Sequence, residues 1–234
     1  MAQTVPDLLY VLRTSDVFRQ LTAAARQELA AMGRVEQYRE STLLAPQGAT
    51  PDYIRYVVAG SVNLTYTTPD GKIAALPIFR GNWATWLGCI VPSPIDYAIW
   101  TSKSATLVAF PAAAVRRHVV ASPEALVNVI GSIGRTMRFL VVWALQTSVL
   151  TPDKRLASLL LLATEMASSE AFKVAQIRIS QEQFGHLGLG TRQRVGRLLR
   201  DLAARGLVEM KYGQVMIPSR EKLTAYIEER SEGL

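Results

Sequence analysis

Ile179-Ser-Gln-Glu-Gln-Phe-Gly-His-Leu-Gly-Leu-Gly190-Thr-Arg-Gln-Arg-Val-Gly-Arg-Leu-Leu-Arg-Asp-Leu202 reads as two short helices joined by a glycine turn. Ser180 stands as an N-cap with Gln183 three residues on, the spacing of a capping box. Phe184 and Leu187 are the apolar positions of the first helix, and Gly188 to Gly190 make the turn. Thr191 caps the second helix, which turns Val195, Leu198, Leu199 and Leu202 inward. This is the grammar of a helix–turn–helix, whose second helix enters the DNA major groove with its first turns. Arg192, Gln193, Arg194 and Arg197 fall in those turns. Arginine reads guanine O6 and N7 through two parallel hydrogen bonds. Positions 193 and 197 share a face by their spacing and 192 lies beside them, which leaves Arg194 and Arg200 for backbone contacts or solvent. Ser180, Thr191 and the amides at the helix start are suited to phosphates.

The flanking chain agrees. Leu207–Lys211, a Tyr212-Gly213 turn and Gln214–Ile217 read as a hairpin, the wing of a winged helix, with Lys211 and Tyr212 at its tip near the phosphate backbone. Upstream lies a short strand, Ala175–Ile179. Before it comes a helix carrying Leu156, Leu159, Leu160, Ala163 and Met166, opened by the start signal and hinge Thr151-Pro152-Asp153. Ser122-Pro123-Glu124 opens a longer helix that runs to about Ser148. A seven-residue repeat threads it through Val127, Ile130, Gly134, Met137, Val141, Ala144 and Ser148. Two of its faces are apolar, so one is expected to pack on its own chain and the other on a partner helix.

The texture differs from Val35 to Pro111. Short β-branched or aromatic runs, among them Tyr53–Val58, Ser61–Thr67, Lys72–Phe79 and Thr106–Phe110, alternate with turn residues. Asp70-Gly71 between two of them is a hairpin signal, because a tight turn needs positive φ. The pattern predicts a β-sandwich, jelly roll or barrel. Residues 1–33 are expected to be helical, with Val17, Phe18, Leu21, Ala25, Leu29 and Met32 at helical spacing.

The 234 residues are 49% apolar and 19% charged, a folded composition that leaves room for one or two domains. The longest uninterrupted apolar run, Phe139 to Leu145, is short for a membrane span, and the N-terminus has neither a basic nor a long apolar region. No membrane contact is expected, and a cytoplasmic location is. One cysteine, Cys89, excludes an internal disulfide, and only His118 and His186 are available as imidazole ligands or bases. No metal site and no catalytic residues are expected. The roll segment holds no histidine, which argues against a cupin-like enzyme. Lys+Arg exceed Asp+Glu by seven, and four of those charges lie between Thr191 and Arg205, where five arginines meet one acid, Asp201. Such a cluster favours a nucleic acid. The competing function is a small-molecule sensor or protein-interaction module without specific DNA reading, which has no use for those arginines.

Thr191-Arg192-Gln193-Arg194-Val195-Gly196-Arg197, the glycines at 48, 60, 71 and 81, and the long helix from 123 together resemble the Crp–Fnr (cyclic-AMP receptor / fumarate–nitrate regulator) superfamily of bacterial transcription factors, over about residues 17–225. The resemblance implies an α+β chain: an N-terminal helix with a cyclic-nucleotide-binding-like β-roll sensor over 1–121, a dimerisation helix over 122–150, and a winged helix–turn–helix over 151–234. It implies a homodimer on a palindromic double-stranded DNA site, joined through Val127, Ile130, Gly134, Met137, Val141 and Ala144, and it admits RNA polymerase as a further partner. Arg192 and Arg197 match the family's two base- or phosphate-reading arginines. Gln193 stands where many members have glutamate, which implies a different half-site, since glutamine pairs with adenine and glutamate with cytosine.

The sensor departs from the pattern. Aligned with cyclic-nucleotide-binding members, Trp86 takes the place of the ribose-binding glutamate, Asp96 that of the phosphate-neutralising arginine, and Tyr97 that of the serine or threonine. Leu140 and Val141 replace the polar pair that meets the base. Cyclic AMP is therefore not expected to bind in the usual way, and no cofactor is predicted. Trp83, Trp86, Trp100 and Trp143 either fill a core or line a pocket for another effector, in which case Trp83, Trp86, Asp96, Tyr97, Leu140 and Val141 form it.

Overall fold

Asp70-Gly71 makes the turn expected of it: Gly71 N–H donates to Thr68 O at 2.9 Å, and strands β4 (Ser61–Thr67) and β5 (Ile73–Phe79) pair antiparallel on either side. The computed structural model describes residues 6–71, 73–85, 89–167, 176–177, 189–211 and 214–229. The chain divides into two compact units, Met1–Thr136 and Met137–Leu234, with the border inside one long helix.

Among its described residues the first unit has eight strands. To β4 and β5 are added β1 (Arg34–Tyr38), β2 (Leu43–Ala45), β3 (Tyr53–Ala59), β6 (Trp83–Ala84), β7 (Ala98–Thr101) and β8 (Ala105–Pro111). They form two antiparallel sheets in the orders β1-β8-β3-β6 and β2-β7-β4-β5. Alternation along the strands divides the side chains between two cores. Val57, Val62, Ile78, Ala84, Ile95, Ile99 and Leu107 meet inside the roll. Ile54, Val108 and Phe110 point the other way, onto helices. Gly60 links β3 to β4 at φ +75°, and a Cβ there would meet Ser102 Oγ at 2.8 Å and Ala105 Cα at 3.0 Å.

The N-terminal run is two helices, not one. α1 (Leu8–Thr14) ends where the Ser15 hydroxyl accepts from Val17 N–H at 3.2 Å, and α2 (Ala23–Met32) starts under a Thr22 cap that accepts from Ala25 N–H. The break between them buries Val17, Phe18 and Leu21 against the sheet's helix side. A further helix, α3 (Ala112–Val120), follows β8 and buries Ala112, Ala114, Val115 and Val119.

α4 (Pro123–Val149) starts as the sequence indicates, with the Ser122 hydroxyl accepting from Ala125 N–H at 3.2 Å. Ala125 and Val129 enter the helix-side core of the first unit. By length and average composition α4 is long and apolar enough to cross a membrane, although its longest uninterrupted apolar run is only Phe139 to Leu145. Arg135 and Arg138 interrupt its middle, where an arginine facing lipid is costly.

In the second unit, α5 (Pro152–Ala167) buries Leu156, Leu159, Leu160 and Ala163. It packs on α6 (Arg192–Ala204) and on α7 (Arg220–Glu228), a helix not anticipated from the sequence. The Tyr226 hydroxyl donates to Asp153, and Lys154 Nζ donates to Glu229 O, tying α7 to the start of α5. Burial and the Asp153 charge push the Tyr226 hydroxyl up to about 12, so it stays a donor at neutral pH. Strands β10 (Glu209–Lys211) and β11 (Gln214–Met216) form the hairpin read from the sequence, and β9 (Gln176–Ile177) adds to β11.

Candidate nucleic-acid interface

α6 begins where its sequence says. Gly190 holds φ +99°, a conformation glycine adopts without cost, and a Cβ there would come within 2.9 Å of Arg194 Cδ. The Thr191 hydroxyl then accepts from Arg194 N–H at 3.3 Å, satisfying one of the free amides of the first turn. Val195, Gly196, Leu199 and Leu202 are buried. That leaves the opposite face to Arg192, Gln193, Arg194, Arg197 and Arg200, all exposed.

Among the described residues no acid lies within ion-pair distance of the arginines on the outer turns of this face. Among the described residues none of Arg192, Arg194, Arg197 and Arg200 forms an ion pair, and Asp201, the lone acid of α6, is not engaged by any of them. Arg205 is set apart: its guanidinium lies 5.2 Å from the Tyr226 ring centroid, a cation–π position. An exposed row of unpaired guanidiniums on one helix is what an external polyanion neutralises.

One residue that the sequence pattern did not place there, Met210, joins the face. A groove of about 460 Å³ runs along the wing side of α6, lined by Arg192, Gln193, Gly196, Arg200 and Met210. Arg200 Nε donates to Gly196 O at 3.2 Å, which lays the guanidinium along this groove. Met210 reaches it from β10, a placement that depends on how the wing packs against the helix. Lys211 is exposed at the end of β10. Ser180 and Tyr212 lie outside the described residues, as do His186 and the rest of the helix expected before the turn.

Among the described residues of the first unit, the positions considered for an effector lie in different surroundings. Trp83 is a core residue on the helix side of the first sheet, not a residue of the roll interior. It is edge-on to Phe18 at 4.7 Å between centroids, 5.9 Å from Phe110, and its indole N–H donates to Ser15 Oγ at 2.9 Å. Trp100 is 37% exposed and Asp96 is exposed. Tyr97 packs against the roll core, and its burial raises the hydroxyl pKa. Leu140 is half-buried, Val141 is exposed, and Trp86 lies outside the described residues. Cys89 is fully buried, and burial raises its thiol, which keeps it protonated and unreactive.

The roll interior does hold charge, at one end. Arg34, Ala109 and Arg55 lie in one cross-strand row of β1, β8 and β3, and Glu36 stands one inward position along β1. The small Ala109 leaves room for both guanidiniums to converge on Glu36. Arg34 donates from Nε and Nη2 at 2.9 and 2.7 Å, and Arg55 from Nε at 2.8 Å. The Tyr38 hydroxyl adds a bond of 2.9 Å. Burial and the Glu36 charge push that hydroxyl up to about 12.

Along α4, Val127, Ile130, Gly134, Met137, Val141 and Ala144 are all exposed. Leu145 and Val149 extend the same apolar stripe, whose large members are 48–79% exposed. A Cβ on Gly134 would meet nothing within 4 Å.

Residues 154–226 match the Crp-like helix-turn-helix domain. Solved structures share the fold over most of the chain. FixK2 from Bradyrhizobium japonicum is 18% identical with a TM-score of 0.68, covering 82% of this chain and 96% of its own. A mutant of CooA from Carboxydothermus hydrogenoformans is 17% identical with a TM-score of 0.65, covering 96% and 97%. A CRP-family transcriptional regulator from Thermus thermophilus is 18% identical with a TM-score of 0.59, covering 85% and 100%. At these identities the likeness to solved structures is one of fold. No curated protein matches the sequence significantly.

Proposed function

We propose that the chain, with its Crp-like helix-turn-helix domain at residues 154–226 and its likeness in fold to Crp-family structures, is a Crp/Fnr-type DNA-binding transcription regulator rather than an enzyme, and that it acts as a homodimer reading a two-fold symmetric site. In this reading residues 1–121 are a sensor-like roll, 122–150 the dimerisation helix and 151–234 the reading domain. The observation that carries it is the outward face of α6, capped by Thr191 and bearing arginines that no acid of the described residues neutralises. Gln193 and Arg197 read bases, with Arg192 beside them. Thr191, Arg194 and Lys211 meet phosphates, and Ser180 and Tyr212 are assigned the same role from the sequence. The exposed stripe of α4 is the seam between protomers. A cytoplasmic location follows from contact with DNA.

Selection from a random duplex pool tests the reading. The purified protein is expected to recover a palindrome without added ligand. Arg197→Ala should lower affinity for that site by about 2 kcal/mol, roughly thirtyfold, the worth of one bidentate base contact. Gln193→Glu should move one position per half-site from adenine towards cytosine. Recovery of unselected, salt-sensitive binding only, with Arg197→Ala indistinguishable from wild type, would sink the assignment.

The roll does not bind cyclic AMP in the usual manner. Trp86 and Asp96 stand where the family's glutamate and arginine would, and the described residues of the interior are apolar side chains beside an arginine pair engaged by Glu36. Saturating cyclic AMP is expected to leave both Tm and DNA affinity unchanged, since a ligand that binds the folded state raises its stability. A rise in Tm with cyclic AMP concentration would overturn this.

A further inference from the structure

We propose that Arg200 and Met210 form a seat for the DNA backbone on the wing side of α6, holding one phosphate and its deoxyribose irrespective of base sequence. The inference rests on the DNA-reading proposal and adds a subsite to it. Positions 192, 196 and 200 follow one another at four-residue spacing along a single flank of the helix, between the buried stripe and the outermost Gln193 and Arg197. Gly196 in the middle of the row carries no side chain and lines, with the two arginines, the groove of about 460 Å³ that Met210 walls from β10.

Arg200 is set in advance for an anion. Its Nε is held by Gly196 O, and its two terminal nitrogens have no partner among the described residues. Less side-chain freedom is then lost when a phosphate arrives. Met210 is 43% exposed, a large apolar group beside two guanidiniums. A deoxyribose presents apolar carbons next to a charged phosphate, which matches a thioether next to an arginine. With the outer face of α6 in the major groove, a flank turned to the wing meets the wall of that groove, which is sugar and phosphate.

The experiment uses the full chain, the selected duplex and a shuffled duplex over a series of salt concentrations. Arg200→Ala is expected to weaken both duplexes by a similar factor, about tenfold. It should also reduce the slope of log K against log salt by about 0.9, one phosphate contact, with base preference unchanged. Arg200→Lys should keep the slope. Met210→Ala should weaken both duplexes about threefold with no change of slope, and Met210→Leu should restore them. The proposal falls if Arg200→Ala alters preference at a base pair, or if it leaves affinity and slope unchanged. Failure of the underlying reading shows separately, in a wild-type protein that binds both duplexes equally and an Arg197→Ala variant that changes nothing.

Discussion

Glu36→Ala is expected to destabilise the first unit by about 3–5 kcal/mol, the cost of leaving a buried charge without its partner. Arg55 and Glu36 have side chains only 8% and 9% exposed. Removing the carboxylate strands the Arg55 guanidinium in the roll and orphans the Tyr38 hydroxyl. Glu36→Gln, which keeps the shape and loses the charge, should cost less, about 1.5–3 kcal/mol, the range for hydrogen bonds to charged groups. Urea unfolding followed by tryptophan fluorescence measures both. An alanine variant within about 1 kcal/mol of wild type would mean that water replaces the carboxylate.

The same cluster fixes the sign of a pH dependence. Burial alone would raise the Glu36 pKa, but the hydrogen bonds and charges of Arg55 and Arg34, with the Tyr38 hydroxyl, outweigh it and hold the carboxyl below its ordinary 4.5. A carboxylate depressed in the folded state contributes stability that is complete above its unfolded pKa and lost as pH falls through the folded value. The gap between wild type and Glu36→Gln should therefore be constant near neutrality and narrow as the pH drops below about 4.

Val141→Glu should turn a dimer into a monomer and cut affinity for the palindromic site on the order of a hundredfold. Val141 sits mid-stripe on α4, exposed among Met137, Leu145 and the open Gly134. A single helix with such a stripe exposes more apolar surface than a monomer normally keeps. In a dimer two glutamates would face each other across a closed seam, unpaired and desolvated. Losing the dimer makes the second half-site an independent encounter rather than a tethered one, which is where linked binding gains its factor of about 10² or more. Sedimentation equilibrium and binding to full and half sites decide it. A wild-type monomer, or a monomeric variant that binds the full site as tightly as wild type, would remove α4 from the role.

Much of this was legible without coordinates, and the reason is locality. The Asp70-Gly71 turn, the Ser122 cap, the Thr191 cap and the hairpin from Glu209 to Met216 each depend on residues a few positions apart. The exposed face of α6 follows from the same logic, since Val195, Leu199 and Leu202 must turn inward and Gln193 and Arg197 then cannot. Where local signals competed, the sequence misled. The apolar spacing from Val17 to Met32 suits one helix, yet Ser15 and Thr22 end and restart it. Trp83, Trp86 and Trp100 in the strand segment, with Trp143 on the long helix, leave filled core and pocket both open on sequence, and strand alternation sends Trp83 to the helix-side core and Trp100 outward.

The strand-rich segment, the long helix, the Ser122 and Thr191 caps and the charge on α6 are written in the sequence, because they rest on backbone preferences and periodicities within a turn or two. The buried bond between Glu36 and Arg55 comes from the fold, because both of their strands pair with β8 and the registers bring them to one side. Only packing of the wing on α6 set Met210 beside Arg200. Such neighbours are chosen by sheet register and helix packing over long separations, which no local pattern encodes.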